Sequence, residues 1–390
     1  MFAGGAPIPA GAFDASLVPR AQVDCDAPDA VAKLRSMLGE ERFSLLILFV
    51  SPEADFEKVV TDAAVHFAGV TVIGCTTGGE LGNGGYDENS IIAVGLPSKH
   101  FAASSILIPH VGELDQQNLM SEGVTTRSKL TAAHPDWDSE FAFLLVDGMS
   151  RKEDTVVAAC ANALGPVPLF GGSAGDGDHF GDPLIAYDGR IYRRAAVLTY
   201  VRTCCPIKVF SFDHFEPSDR RMVVTSADPE KRIVHQINAE PSAREYARML
   251  GKDPEGMDTY TFAARPVVVR FGGTHHVRSI QRVTETGDLL FFAAIEEGLV
   301  LTLADPTDMV KHLDSSLSDL GRSVKPAAII ACDCILRRME AQEKQLSRAI
   351  SEILEKHDVV GFSTYGEQIA GMHVNQTVTG VAIYPPGSDP

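Results

Sequence analysis

The sequence predicts a mixed α/β (α+β) protein made of two consecutive domains, each built on a mixed β-sheet flanked by helices. Three observations carry this reading. Short continuous apolar runs recur, such as residues 43–50 and 70–75, and strands buried on both faces have that signature. Segments with helical spacing lie between them; residues 53–67 put Phe56, Val59, Val60, Ala63 and Phe67 on one side. The chain has 390 residues, where one domain usually takes about 100–200.

Residues 1–22 are rich in Gly, Ala and Pro and lack periodicity, so they read as a loose tail. The first domain is expected over 23–230. It opens with a helix at 29–38, the strand 43–50, the helix 53–67 and the strand 70–75. Strands at 90–96 and 101–109, a helix at 112–133, a strand at 141–147, a helix at 153–164 and a short strand at 168–172 follow. Asp188-Gly189 is a type I′ turn signal between arms at 183–187 and 190–201, and strands follow at 207–212 and 221–227. The second domain is expected over 231–390, with strands at 232–237, 266–271, 275–283, 289–294, 327–332, 359–363 and 378–384. Its helices are placed at 241–250, with Gly251 as cap, at 305–313, with Asp305 as N-cap and Pro306 in the first turn, and at 336–357. No short internal repeat is evident.

Composition narrows the function. The net charge is −18 and the pI about 5.1, so nucleic acid and anionic membrane would be repelled. The N-terminus lacks a basic region followed by an apolar one, which excludes a signal peptide of the usual form. The longest apolar runs, such as 45–50, are far too short to span a bilayer. Seven cysteines without framework spacing point to free thiols in a reducing cytoplasm.

Three glycine-rich turns end strands: Gly74-Cys75-Thr76-Thr77-Gly78-Gly79-Glu80, Gly171-Gly172-Ser173-Ala174-Gly175-Asp176-Gly177 and Phe362-Ser363-Thr364-Tyr365-Gly366-Glu367. Glycine lets backbone approach a ligand, and ligands of open α/β sheets sit at the carboxyl ends of strands. Cys75, Thr76, Thr77, Glu80, Gly172, Ser173, Asp176, Tyr365 and Glu367 are therefore the candidate ligand-binding residues. None of the turns has P-loop or dinucleotide spacing.

Ser173 lies in a G-x-S-x-G string, the spacing of a nucleophile elbow, but no helix follows it and no base is assignable. Cys75 would need a lowered pKa to act as a nucleophile. Cys332-Asp333-Cys334 lacks a second ligand pair, and the vicinal Cys204-Cys205 is poorly disposed to chelate one ion, so a structural zinc site is not expected. His66, His100, His110, His134, His312 and His357 lie on polar or helix-end segments and read as solvated. His214, flanked by aromatics, and His373, beside Met372, suit a haem pocket better. For either histidine alone, an ordinary hydrogen-bonded role is the commoner reading.

Val72–Glu80, Phe170–Asp176, Ala331–Arg337 and Gly361–Glu367, taken in order, resemble the signatures of the FIST family, whose N- and C-terminal domains sense small ligands. The resemblance runs over nearly the whole chain from about residue 30. It implies a signalling partner such as a histidine kinase or a cyclic-di-GMP enzyme. The chain carries no transmitter segment of its own, so a stand-alone sensor is expected, with a homodimer allowed. Residues 366–377 are similar to the haem-binding, nitric-oxide-sensing branch of the family. That likeness implies haem b held by a histidine, with His214, His373 and Met372 as the candidates for its pocket. Nitric oxide would loosen the iron–histidine bond and shift a two-state protein. A metal-free sensor of an amino acid or similar metabolite is the alternative, with Glu80, Asp176 and Glu367 gripping the ligand. A hydrolase using Ser173 or Cys75 is the third reading.

Overall fold

A computed structural model describes residues 17–271 and 273–390. Its centre is three six-stranded sheets. The first orders its strands Arg20–Asp24, Ser90–Pro97, Phe43–Val50, Thr71–Thr76, Ile185–Tyr187 and Arg190–Tyr192. The second runs Met372–Val374, Glu367–Ile369, Leu169–Ala174, Ser139–Asp147, Ala196–Thr203 and Phe101–Ile108. The third runs Ile207–Phe212, Val378–Ile383, Ala328–Cys334, Val359–Thr364, Glu80–Gly82 and Gly85–Asp87. Each contains one parallel pair: Phe43–Val50 with Thr71–Thr76, Ser139–Asp147 with Leu169–Ala174, and Ala328–Cys334 with Val359–Thr364. A parallel pair needs a crossover, and helices supply it: Phe56–His66, Glu153–Leu164, and the pair Ile335–Glu343 and Ser347–Lys356.

The three sheets come from one unit written three times, over 20–97, 101–203 and 207–383. Each unit runs edge strand, helix, strand, crossover, parallel strand, hairpin, strand. The hairpin does not stay in its own sheet. Glu80–Gly82 of the first unit pairs with Val359–Thr364 of the third; Glu367–Ile369 of the third pairs with Leu169–Ala174 of the second; Ile185–Tyr187 of the second pairs with Thr71–Thr76 of the first. This cyclic exchange is a pseudo-threefold. Equivalent hydrogen bonds mark it: Ser363 N to Gly79 O at 2.7 Å, Ser173 N to Gly366 O at 2.8 Å and Thr76 N to Leu184 O at 3.0 Å. So do three non-glycine residues in the left-handed region at one place in each unit, Asn89, Arg194 and Gln376, with φ of 65°, 50° and 57°. The two family-sized halves expected from the sequence are thus consecutive along the chain but share sheets.

Local chemistry explains the elements. Helix Phe56–His66 starts where the Asp55 carboxylate accepts from Lys58 N at 3.0 Å, and Phe56, Val59, Val60 and Ala63 form its buried stripe. Gly74, Gly171 and Gly361 hold one position in the three units; a Cβ there would press on the carbonyl of Leu48, Leu144 and Ala331 in the adjoining parallel strand. The inner faces of the three sheets meet in one core that includes Phe49, Phe143, Phe170 and Phe362, with Phe49 stacked on Phe362 at 4.7 Å. Each such side chain contributes about 1.5–3 kcal/mol by leaving water. The helices cover the outer faces.

The third unit is interrupted after Ile207–Phe212. Residues 215–306 form a fourth sheet, whose pairings are all antiparallel, over its own core of Tyr246, Phe262, Leu289 and Phe291.

Several boundaries differ from the sequence reading. Residues 1–16 of the expected tail lie outside the described residues, while Arg20–Asp24 is an edge strand on Ser90–Pro97; backbone pairing places it there despite its polar composition. The helix expected over 336–357 breaks at 344–346, where Gln345 adopts φ 57°. The helix expected at 305 starts at Met309 instead, capped by Asp308 through Lys311 N at 3.0 Å, because 300–306 is claimed by a strand. The expected strand 275–283 divides into Thr274–Arg278 and Ile280–Val283.

Candidate functional site

The three glycine turns converge at the carboxyl ends of the parallel strands. A cleft of about 280 Å³ opens there, lined from all three units: Ser51, Glu53, Gly78, Gly79, Glu80 and Asn89 from the first, Gly177, Asp178 and His179 from the second, Ile335, Arg338 and Met339 from the third. Glu80 is fully buried behind the turn. Its carboxyl accepts from the Thr77 hydroxyl and from Ser90 N, the latter at 3.3 Å. Burial outweighs these bonds and pushes Glu80 up to about 7.

Arg338 comes to the cleft from helix Ile335–Glu343. Its Nη2 donates to Asp87 O at 2.8 Å and pairs with Glu88 at 3.0 Å, and its guanidinium rests 5.0 Å above the Tyr86 ring. Nη1 makes only long contacts, 3.5 Å to Glu80 O and 3.4 Å to Ser363 Oγ. It therefore has donor capacity left for an anion. Glu53, Glu80, Glu88 and Asp178 outnumber Arg338 and His179 around the cleft, so the site favours a ligand that brings positive charge along with a carboxylate or similar group.

Asp176 and Tyr365 are brought together. The Tyr365 hydroxyl donates to the Asp176 carboxylate and accepts from Asp176 N at 3.0 Å and Phe180 N at 3.1 Å, and the Tyr365 ring stacks on Phe180 at 4.5 Å. These contacts pin the loop that carries Asp178 and His179. Thr76 accepts from Leu184 N at 2.8 Å and ties the same loop to the first unit.

Other expected residues lie apart from the cleft. Cys75 is sealed in the central core and burial holds its thiol well above the usual range. Ser173 is equally buried and its hydroxyl accepts from Gln368 Nε2 at 2.8 Å. Gly172 is filled around by Thr364, Phe362 and Cys332. None of the three is arranged as a nucleophile or its support. Glu367 is the pseudo-threefold equivalent of Glu80 but is closed off: its carboxyl is bonded by Thr364, by Thr377 Oγ1 at 2.7 Å and by Thr377 N at 3.2 Å, and burial pushes it to about 8.

The histidines expected to hold haem do not fit that group as arranged. His214 Nδ1 accepts from Arg337 at 2.8 Å, so Nε2 carries the proton and donates to Glu340 at 3.2 Å. The nearest groove, about 400 Å³, is polar, with Asp213, Glu216, Asp308, Lys311 and His312 in its walls, whereas haem needs an apolar slot. His373 is buried, its Nδ1 accepts from Gln368 at 3.3 Å, its ring bonds the Glu367 backbone, and burial lowers it to about 4. A Cβ at position 366 would press on the ring's Cε1 and Nε2, so the ring sits close over Gly366. Met372 is half-buried on the neighbouring hairpin.

Arg338, Glu53, His179 and Met339 were not foreseen. A signal for Arg338 was present: Arg337 and Arg338 sit in the first turn of a helix, where the macrodipole disfavours cations, so both need anionic partners from elsewhere.

Among the described residues, no helix is long and apolar enough to cross a membrane. No curated protein matches the chain. The family model described as the FIST N domain matches residues 44–240, and that of the FIST C domain matches 242–370. The first alone spans just over half of the 390 residues. The chain belongs to the FIST family, whose paired domains are ligand-sensing modules of signal transduction.

Proposed function

We propose that this protein senses a small zwitterionic metabolite of amino-acid size in the Glu80–Arg338 cleft and passes the signal to a separate partner such as a histidine kinase. The observation that carries the reading is a buried carboxyl, Glu80, and an under-used guanidinium, Arg338, brought close together beside one cleft that all three units line. The ammonium would face Glu53, with the buried Glu80 behind it, and the carboxylate would take Arg338 Nη1. A charge-assisted pair of this kind is worth more than a neutral one.

Helix Ile335–Glu343 offers an output route. Arg338 and Met339 face the cleft, while Arg337 and Glu340 hold His214. His214 stands at the neck of the fourth sheet, and its carbonyl accepts from Thr307 N at 2.7 Å where the chain returns. A ligand that draws Arg338 inward would move the grip on that neck and bias the inserted sheet. The seven unpaired cysteines suit a reducing cytoplasm.

Haem has no place in this reading, since neither His214 nor His373 offers an open ring nitrogen. The test is an amino-acid screen by thermal shift, with an absorption spectrum of protein from haem-supplemented cells beside it. A stabilising amino acid, absent in Arg338→Met, is expected. A Soret band that moves with nitric oxide and vanishes in His373→Ala or His214→Ala would replace this reading with the gas-sensor one.

A further inference from the structure

The pole opposite the cleft holds a cluster that the sensing function does not use. Residues 204–205 bend the chain between Ala196–Thr203 and Ile207–Phe212, linking the second unit to the third; residues 98–100 are the equivalent link from the first to the second. In an extended strand the neighbours Cys204 and Cys205 would point to opposite faces, and on that ground the pair reads from sequence as a poor chelator. The bend turns both thiols to one side, where His100 meets them.

The ligand atoms of His100, Cys204 and Cys205 all lie within 4.8 Å of one another, and Cys204 Sγ is 3.5 Å from His100 Nδ1. Bonds of about 2.0–2.1 Å to nitrogen and 2.3 Å to sulfur put the ligands of a tetrahedral zinc roughly 3.5–3.8 Å apart, so small side-chain rotations close the set. The backbone beneath is already fixed. Thr203 Oγ1 donates to His100 O at 2.8 Å, Cys204 N donates to the same carbonyl at 3.3 Å, and Cys205 N donates to Thr203 Oγ1 at 3.0 Å. His100 and Cys204 are half-buried, leaving an entry path, while Cys205 is buried with the central core.

We infer that His100, Cys204 and Cys205 form a site for a thiophilic d¹⁰ cation of the zinc class, with solvent as fourth ligand, that clips together the two links joining the three units. Two soft thiolates and an imidazole are the donor set such ions select. Binding displaces the two thiol protons, so two thiolates balance a divalent charge and protons appear in the medium.

The test is a titration of the full chain, stripped with chelator and kept reduced with a phosphine, using cobalt(II) as the spectroscopic probe and zinc as competitor. One cobalt per chain is expected, with a thiolate-to-cobalt charge-transfer band, tetrahedral ligand-field bands, and proton release; zinc bleaches the bands. Cys204→Ser and His100→Gln, both at half-buried positions, should each weaken binding by more than about tenfold, while Cys25→Ser leaves it unchanged. Circular dichroism reports whether each variant is folded. Absence of the charge-transfer band, or its persistence in the Cys204→Ser/His100→Gln double variant, would overturn the assignment.

Discussion

The sites around Glu80 and Glu367 are the same structure put to different ends. Both follow a G-x-[ST]-T-x-G-E turn, Gly74–Glu80 and Gly361–Glu367. In both the threonine bonds the carboxyl three residues on, and a backbone N–H from the next strand, Ser90 or Thr377, bonds it again. At Glu80 the surrounding positions face a cleft that Arg338 borders. At Glu367 the fourth sheet and its helices lie over the turn: Gln376 Nε2 donates to Ala263 O at 2.8 Å and Arg278 donates to His373 O at 2.9 Å. Closure leaves its mark, because both amide atoms of Asn375 and the side-chain oxygens of Gln368 and Gln376 are buried without a protein partner. The second unit has lost the pair altogether; Ile185 occupies the register position of Glu80 and Glu367. A repeated turn thus supplies a buried carboxyl, and its neighbours decide whether that carboxyl meets a ligand.

The largest expected effect tests the equivalence itself. Alanine at Gly74, Gly171 or Gly361 should destabilise in every unit, most at Gly361, where the opposing carbonyl is closest; a loss on the order of 4 kcal/mol is expected there in denaturant unfolding. A tolerated Gly361→Ala would break the equivalence of the turns.

The next concerns protons. Glu80 and Glu367 stand at about 7 and about 8 in the folded chain against an ordinary 4.5. Between these values the folded chain keeps protons that the unfolded chain has lost. The contribution is therefore fully present below about 4.5 and is lost as pH rises through 7 and 8. Glu367→Gln should flatten this decline by on the order of 3 kcal/mol between pH 5 and 8, with ligand binding unchanged. An undiminished pH slope would mean that Glu367 is ionised in the fold.

A smaller effect is expected at the unpartnered amide. Asn375→Leu removes a buried group that has no protein partner, so unfolding should show no loss and a gain of up to about 1 kcal/mol. A loss of several kcal/mol would show that bound water or a ligand satisfies Asn375.

Much of this was legible in the sequence. The buried strands at 43–50 and 141–147, the Asp188-Gly189 turn and the three glycine turns follow from composition and period, because fully buried strands and left-handed turns restrict residue choice. The repeat was hidden because its middle copy lacks the Thr–Glu pair and its last copy is split by residues 215–306. The hairpin exchange was hidden because backbone pairing between distant units leaves no periodic trace. Glu80 was found from its turn. Arg338 was not, because a helical arginine declares its partner only when a remote strand end, here Asp87 and Glu88, is brought beside it.

The cleft is tested most directly by calorimetric titration of the best amino acid from the thermal screen into the wild-type chain, Arg338→Met and Glu367→Gln in parallel. The account expects heat of binding from the wild type and from Glu367→Gln with the same affinity, and a loss of at least about a hundredfold in Arg338→Met. Equal affinity in Arg338→Met, or binding abolished by Glu367→Gln alone in a folded protein, would move the ligand out of the cleft and contradict it.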